Sequence, residues 1–182
     1  VPKKEYEDVR IRMFNGGITA AALTTQHMKM KCANGALTLS GVNGESCELE
    51  TGNGAITIQT SDLNKVEAET LNGAIQARGH FNKVDLQTFS GQIICQNEKP
   101  DSESLYAKSV TGKIALSLAT GTAVSGELKS NLGNFNVSLA GINIVEEKND
   151  VILKVLKFKT VHDQPSLTNI VAESKTGAIS VS

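Results

Sequence analysis

A glycine recurs along this chain at a nearly constant interval, usually with a small polar residue before it and an apolar residue two positions after it. The glycines stand at positions 16, 35, 54, 73, 91, 112, 133 and 177, so the intervals are 19, 19, 19, 18, 21, 21 and 44 residues. The last interval is about two periods, which indicates a degenerate turn or an insertion between 134 and 176. Regular spacing over so many copies is the signature of a repeat architecture.

Apolar and polar residues alternate on both sides of these glycines, which is the pattern of half-buried β-strands. The column seven residues before the glycine reads Val9, Met28, Cys47, Val66, Val84, Leu105, Gly126 and Ile170. The column two residues after it reads Ile18, Leu37, Ile56, Ile75, Ile93, Ile114, Phe135 and Ile179. Helical spacing fits none of these segments.

A repeat of this length favours a β-solenoid over simple hairpins, although Asn-Gly between alternating strands also fits a hairpin turn. Stacked units place like residues directly above one another, about 4.8 Å apart. We therefore expect an all-β, single-domain, right-handed parallel β-solenoid of about eight to nine rungs with no significant helix. Residues 1–8 are expected to form an N-terminal cap or linker, and 9–182 the solenoid, with an irregular rung or hairpin insertion at about 140–165.

Two polar columns accompany the corners. Asn15, Asn34, Asn53 and Asn72 are expected to form an amide ladder, and the residues from Thr51 onward, three before each glycine, an inward hydroxyl column. Glycine at each corner is expected to supply a positive φ.

The two ends of the solenoid need protection, because an end strand exposes an unpaired edge. The N-terminal segment is expected to cap one end. The chain stops inside a strand at Ile179–Ser182. The other end is therefore expected to pair with another copy, giving a homo-oligomer, or to be shielded by the irregular 142–160 region. That region reads as a projecting hairpin of Ile142–Val145 and Val151–Leu156.

Composition excludes several classes of function. With 182 residues and 40% hydrophobic content the chain is sufficient for one packed domain. The net charge of −1 gives no support for a nucleic-acid partner. No apolar run approaches the roughly 20 residues that a membrane-spanning helix needs.

No cofactor, metal or catalytic residue is expected from the reactive side chains. The cysteines at 32, 47 and 95 fall on inward columns without a C-x-x-C pair, which suits small buried apolar groups. The histidines at 27, 80 and 162 occupy different phases of the repeat, so they are expected at the surface.

Charged residues form two outward columns that carry the candidate binding surface. This surface comprises a basic block beside an acidic block: Arg10, Arg12, Lys29 and Lys31, then Glu48, Glu50, Glu67, Glu69 and Asp85. One interpretation is a solvated face whose charges discourage lateral sheet association. The other is a binding stripe, whose basic end suits anionic headgroups or envelope polymers and whose acidic block suits cationic peptides or a divalent cation.

The polar-Gly-x-Ile corners, each preceded by a strand such as Val66-Glu67-Ala68-Glu69-Thr70 or Val84-Asp85-Leu86-Gln87-Thr88, resemble the bacterial adhesin-type β-strand repeat family. Such domains are similar to the C-terminal β domain of LiaX-type surface proteins, which are linked to cell-envelope stress and antimicrobial-peptide resistance in Gram-positive bacteria. The resemblance covers residues 8–182 and offers no catalytic residues.

The resemblance implies a non-catalytic cell-envelope or surface module that binds or regulates. It would recognise a cationic antimicrobial peptide, an envelope polymer or a partner domain through flat β faces, without nucleic acid. It implies a location at the cell surface, with membrane association through flanking regions outside this chain. A cytoplasmic location is the alternative, because free thiols are more usual in reducing compartments. The alternative functions are a carbohydrate-active β-helix enzyme and a purely structural spacer.

Overall fold

Sixteen β-strands and no helix make up the described part of the chain. The structure is a computed structural model that describes residues 5–161 and 167–182. The first eight strands are β1 (Glu5–Asn15), β2 (Ile18–Ala21), β3 (Thr24–Asn34), β4 (Leu37–Ser40), β5 (Asn43–Asn53), β6 (Ile56–Asn72), β7 (Ile75–Ser90) and β8 (Ile93–Asn97). The others are β9 (Ser104–Ser109), β10 (Ile114–Leu118), β11 (Val124–Ser130), β12 (Phe135–Val137), β13 (Ile142–Asn149), β14 (Lys154–Thr160), β15 (Thr168–Ser174) and β16 (Ile179–Val181).

The strands form two stacks of parallel strands, which we call the front and back sheets. The front sheet runs β1-β3-β5-β6-β7-β9-β15-β11, followed by β14 and β13. The back sheet runs β2-β4-β6-β7-β8-β10-β16-β12. Strands β6 and β7 pass through both sheets, so each rung consists of one front segment, a glycine corner and one back segment. This confirms the expected all-β solenoid.

Matching apolar residues stack in the interior between the two sheets. In the back sheet Leu37 pairs with Ile18 and Ile56, and Ile56 pairs in turn with Ile75. The side chains of Leu37, Ile56 and Ile75 are fully buried. Burying one such side chain contributes roughly 1.5–3 kcal/mol, so the repeated columns are the main source of stability.

Close approach of successive corners is what requires glycine in the motif. A Cβ on Gly73 would lie 2.0 Å from the carbonyl oxygen of Gly54, and a Cβ on Gly112 would lie 1.8 Å from that of Gly91. A positive φ was expected at every corner, but Gly91 has a nearly extended φ of 158°. Gly16 does have a positive φ, of 109°, at its corner, and Thr60, with a φ of 49°, is left-handed at the opposite corner.

The inward hydroxyl column is confirmed, and it has a defined role. Thr51 Oγ1 donates to the carbonyl oxygen of Gly35 at 2.9 Å, and Thr70 Oγ1 donates to that of Gly54 at 3.0 Å. Each hydroxyl thus satisfies a corner carbonyl of the preceding rung. On the outer side of the same corners, Asn53 Nδ2 donates to Asn34 Oδ1 at 2.8 Å, within the expected amide ladder.

The last rung does not stand at the end of the solenoid. Strand β15 lies between β9 and β11, and β16 lies between β10 and β12. Each sheet stacks eight parallel strands, compared with the eight to nine rungs expected, and about six turns follow one another in chain order. Six copies, from Gly16 to Gly112, stack in chain order. The next rung in the chain, β11 and β12, lies one position further along the stack. The position between it and the Gly112 rung is occupied by the last two strands, β15 and β16.

A hairpin covers the end of the solenoid beyond β11. Strands β13 and β14 are antiparallel, and β14 pairs antiparallel with β11, so the hairpin docks on the sheet and does not project as expected. Its Phe158 is 1% exposed and occupies the space that a side chain at Gly126 would need. Gly126 interrupts the apolar column because the hairpin supplies the missing apolar group. The 142–160 region thus covers the front-sheet edge at β11, while Ile179–Val181 lies between β10 and β12.

At the N-terminal end, β1 begins at Glu5 and takes in part of the segment assigned to a cap or linker. Residues 1–4 lie outside the described residues. Among the residues that are described, no helix is long and apolar enough to cross a membrane.

Candidate functional site

The outward side chains of the front sheet form one continuous surface, which we call the charged face. It consists of two rows that run across the strands at the register of the Cα partners. The first row is Arg10, Lys29, Glu48, Glu67 and Asp85, and the second is Arg12, Lys31, Glu50, Glu69 and Gln87. The structure thus brings all nine sequence-predicted surface residues onto one face.

The basic block occupies the first two strands of the front sheet, β1 and β3. Arg10 and Arg12 on β1 lie beside Lys29 and Lys31 on β3, so like charges are neighbours there. Arg10 Nη2 lies 3.9 Å from Asp8 Oδ2 of its own strand. The two arginines are exposed, and the two lysines are half-buried.

Ion pairs hold the boundary between the two blocks. Lys29 Nζ contacts both carboxylate oxygens of Glu48, and Lys31 Nζ contacts Glu50. The hydrogen bond from Lys29 lowers the pKa of Glu48 below its usual range, because it favours the charged carboxylate. The hydrogen bond to Glu50 likewise raises the pKa of Lys31.

The acidic block lines a shallow depression of about 200 Å³ on the front sheet. Glu67 is paired with Lys65, whose Nζ lies 2.7 Å from its Oε1. Asp85 accepts a hydrogen bond of 2.9 Å from Gln87 Nε2 and forms no direct ion pair with the described side chains, although it interacts electrostatically with Lys65. Glu69 is exposed and forms no ion pair within residues 5–161 and 167–182. Two of the five carboxylates therefore have no lysine in direct contact.

The second half of the charged face carries charges that the sequence columns did not bring together. Lys108 and Lys129 flank Glu173, at 3.6 and 3.9 Å. Their proximity arises because β15 is inserted between β9 and β11. The spacing of the repeat does not determine the order of the last rungs, so it does not predict which strands lie beside Glu173.

Lys65 is another member of the site that the two outward columns missed. It stands two residues before Glu67, next to Lys83 on the neighbouring strand. Lys83 Nζ is 2.8 Å from Glu103 Oε1. A third outward column, eight residues before the glycine, contains both lysines and would have revealed them.

The histidines and metal-ligating side chains of the described residues were the other candidates for chemistry. Within the described ranges, no three His, Cys, Asp or Glu residues are grouped to hold a metal ion. His27 Nδ1 is hydrogen-bonded to Ser46 Oγ at 2.8 Å, and His80 is exposed. His162 lies outside the described residues.

The three cysteines are free and buried, on inward columns. Burial raises the pKa of Cys47 and of Cys95 to about 12. Thiolates are the reactive form of cysteine, so burial disfavours the reactive form of these two thiols in the folded chain.

Comparisons with known proteins connect this fold to a family. The chain matches the Toastrack DUF4097 family model over residues 1–164. It is 51% identical over 181 residues to a Bacillus subtilis (strain 168) protein described as uncharacterized protein YvlB. That match covers 98% of this chain and 49% of the relative, so the chain spans about half the relative's length. No solved structure matches. The chain therefore belongs to the Toastrack DUF4097 family.

Proposed function

We propose that this chain is a non-catalytic module of the bacterial cell envelope that binds an extended cationic peptide on the acidic block of its charged face. The observation that carries the proposal is the unequal balance of charge there. Glu48, Glu50 and Glu67 form direct ion pairs with lysines, whereas Glu69 and Asp85 form none among the described residues.

The shape of the acidic block favours a peptide over an enclosed small molecule. The depression holds about 200 Å³, less than the roughly 300–1,000 Å³ of typical ligand pockets. A flat parallel sheet with a carboxylate every rung, about 4.8 Å apart, suits a partner that lies across several rungs. An extended peptide with several Lys or Arg side chains has this property.

The same shape supports a non-catalytic role. Glycosidases place two carboxylates on opposite sides of a bound sugar, which requires a cleft deep enough to hold that sugar. Glu67, Glu69 and Asp85 instead project from one side of a single sheet. A carbohydrate-active enzyme is therefore the second candidate function.

A location in the cell envelope rests on the family resemblance and is compatible with the thiols. An oxidising compartment oxidises exposed cysteines. Cys32, Cys47 and Cys95 are at most 4% exposed, so the folded chain would keep them reduced there.

Binding of a fluorescent oligo-lysine peptide, measured by fluorescence anisotropy, tests this function. The wild-type chain should bind, and affinity should fall as salt is added, because exposed charge pairs are screened. Glu69→Gln with Asp85→Asn should weaken binding about fivefold or more. Asp101→Asn with Glu147→Gln removes the same charge away from the acidic block and should leave binding unchanged.

Three results would overturn the proposal. The first is binding of a fully acetylated peptide as tightly as oligo-lysine, and the second is no binding of oligo-lysine to the wild-type chain. The third result is cleavage of a cell-wall polysaccharide that is lost on Glu67→Gln, which would favour the enzyme.

A further inference from the structure

The first strand, β1, has a neighbour on one side only. It pairs with β3 from Glu5 to Asn15, and no other strand of the described chain pairs with it. At the opposite end of the front sheet the antiparallel β13–β14 hairpin is added beyond β11, and β13 is the edge strand there. An uncovered edge of eleven residues is a template for pairing with another strand.

The interior of the first rung is incompletely covered and apolar. Tyr6 and Met13 are 43% and 42% exposed, whereas their partners on β3, Thr25 and Cys32, are buried. Val9 is half-buried and packs against the core. A strand added outside β1 would remove this apolar surface from water, which is favourable.

Charge along β1 is divided between its two halves. Glu5, Glu7 and Asp8 lie in the first half, and Arg10 and Arg12 lie in the second. Along the paired edge the arginines adjoin Lys29 and Lys31 of β3, and Arg10 has Asp8 of its own strand at 3.9 Å. A strand on the open edge would bring further carboxylates beside them.

A second β1 in antiparallel orientation has the required charge. It would place its acidic half beside Arg10 and Arg12, and its own arginines beside Glu7 and Asp8 of the first copy. A parallel arrangement would instead place like charges together, which is unfavourable.

We propose that the open end binds a second copy of this chain, with β1 against β1 in antiparallel orientation. The result is a two-fold dimer in which the rungs of both copies form one stack. Such an interface uses the same surface on both partners and is closed. It therefore ends at two copies, and it leaves the acidic block on the outer surface of each.

Sedimentation velocity of the 182-residue chain over a range of concentrations tests the proposal. The wild type should change from monomer to dimer as concentration rises. Arg10→Glu with Arg12→Glu should raise the dissociation constant about tenfold or more. The control Lys113→Glu, an exposed position in the middle of the solenoid, should leave it unchanged.

Charge exchange between two variants tests the antiparallel orientation. The Arg10→Glu/Arg12→Glu chain is acidic along all of β1, and a Glu7→Arg/Asp8→Arg chain is mainly basic there. Each should fail to dimerise alone, while an equimolar mixture should form mixed dimers. These positions are exposed, so far-ultraviolet circular dichroism should show unchanged folding.

The proposal would be wrong if the wild type stays monomeric throughout, or if the two variants remain separate when mixed. It would also be wrong if Ile144→Lys, on the exposed edge strand β13, abolishes association while the β1 variants do not. That last result would assign the interface to the capped end.

Discussion

A Cβ added to Gly54 would lie 2.2 Å from the carbonyl oxygen of Gly35, one rung away. Gly54→Ala should therefore destabilise the chain by about 1–3 kcal/mol, as overpacking does elsewhere. Gly17→Ala is the matched control, because its Cβ would stand at an ordinary 3.4 Å from the nearest backbone oxygen. Chemical denaturation should show the control within about 0.5 kcal/mol of wild type, and equal losses would contradict the stacking of the corners.

The alternation of inward and outward residues predicts opposite results at two adjacent positions. Ile75 is fully buried and Gln76 is exposed. Ile75→Asp would bury an unpaired carboxylate, so the cooperative unfolding transition should be lost. Gln76→Asp should shift stability by no more than about 0.5 kcal/mol. Similar melting temperatures for the two variants would show that the register is wrong.

The capping hairpin and the last front strand should be energetically coupled through one pair of residues. Phe158 is 1% exposed, and a Cβ at Gly126 would lie 2.3 Å from its Cζ. Phe158→Ala should cost about 3–5 kcal/mol, and Gly126→Ala should also destabilise.

In the double variant the added methyl group enters the space left by the ring. A double-mutant cycle should therefore give a coupling of at least about 0.5 kcal/mol. Strict additivity would mean that the ring does not occupy the space over Gly126.

The charged face should contribute to acid stability through Glu48. Its pKa is lowered in the folded chain from an ordinary value of 4.5, chiefly by the hydrogen bond from Lys29. A lowered carboxyl pKa adds stability above pH 4.5 and loses it as pH falls through the folded value. Glu48→Gln should flatten the stability profile below about pH 5.

The magnitude should be modest, because the Glu48 side chain is 39% exposed. The difference at neutral pH should be at most about 1 kcal/mol. Denaturation midpoints of the wild type and of Glu48→Gln, measured from pH 3 to 7, test this. An identical fall of the two midpoints below about pH 5 would contradict it.

Much of the fold follows from local patterns in the sequence, because each rung repeats the same chemistry. The alternation around Gly54 and Gly73 identifies inward and outward residues, and inward Thr70 marks where a corner carbonyl needs a donor. The charged rows follow from the same register.

The order of the last rungs could not be predicted in this way. Each rung presents similar apolar columns to either neighbour, so Ile114 is as well matched to Phe135 as to Ile179. The choice depends on the hairpin that contains Phe158, which fits over Gly126 and so makes β11 the last rung. This is a contact between distant segments, and the ion pairs of Glu173 depend on it.

Hydrogen exchange of residues 168–182, followed by mass spectrometry, tests the rung order most directly. Ile170 and Ile179 lie at 0% exposure between two rungs. The C-terminal strands should therefore exchange as slowly as β6 in the middle of the solenoid, and far more slowly than β1 at its open end. Exchange of 168–182 as fast as that of β1 would place these strands at an end and contradict the account.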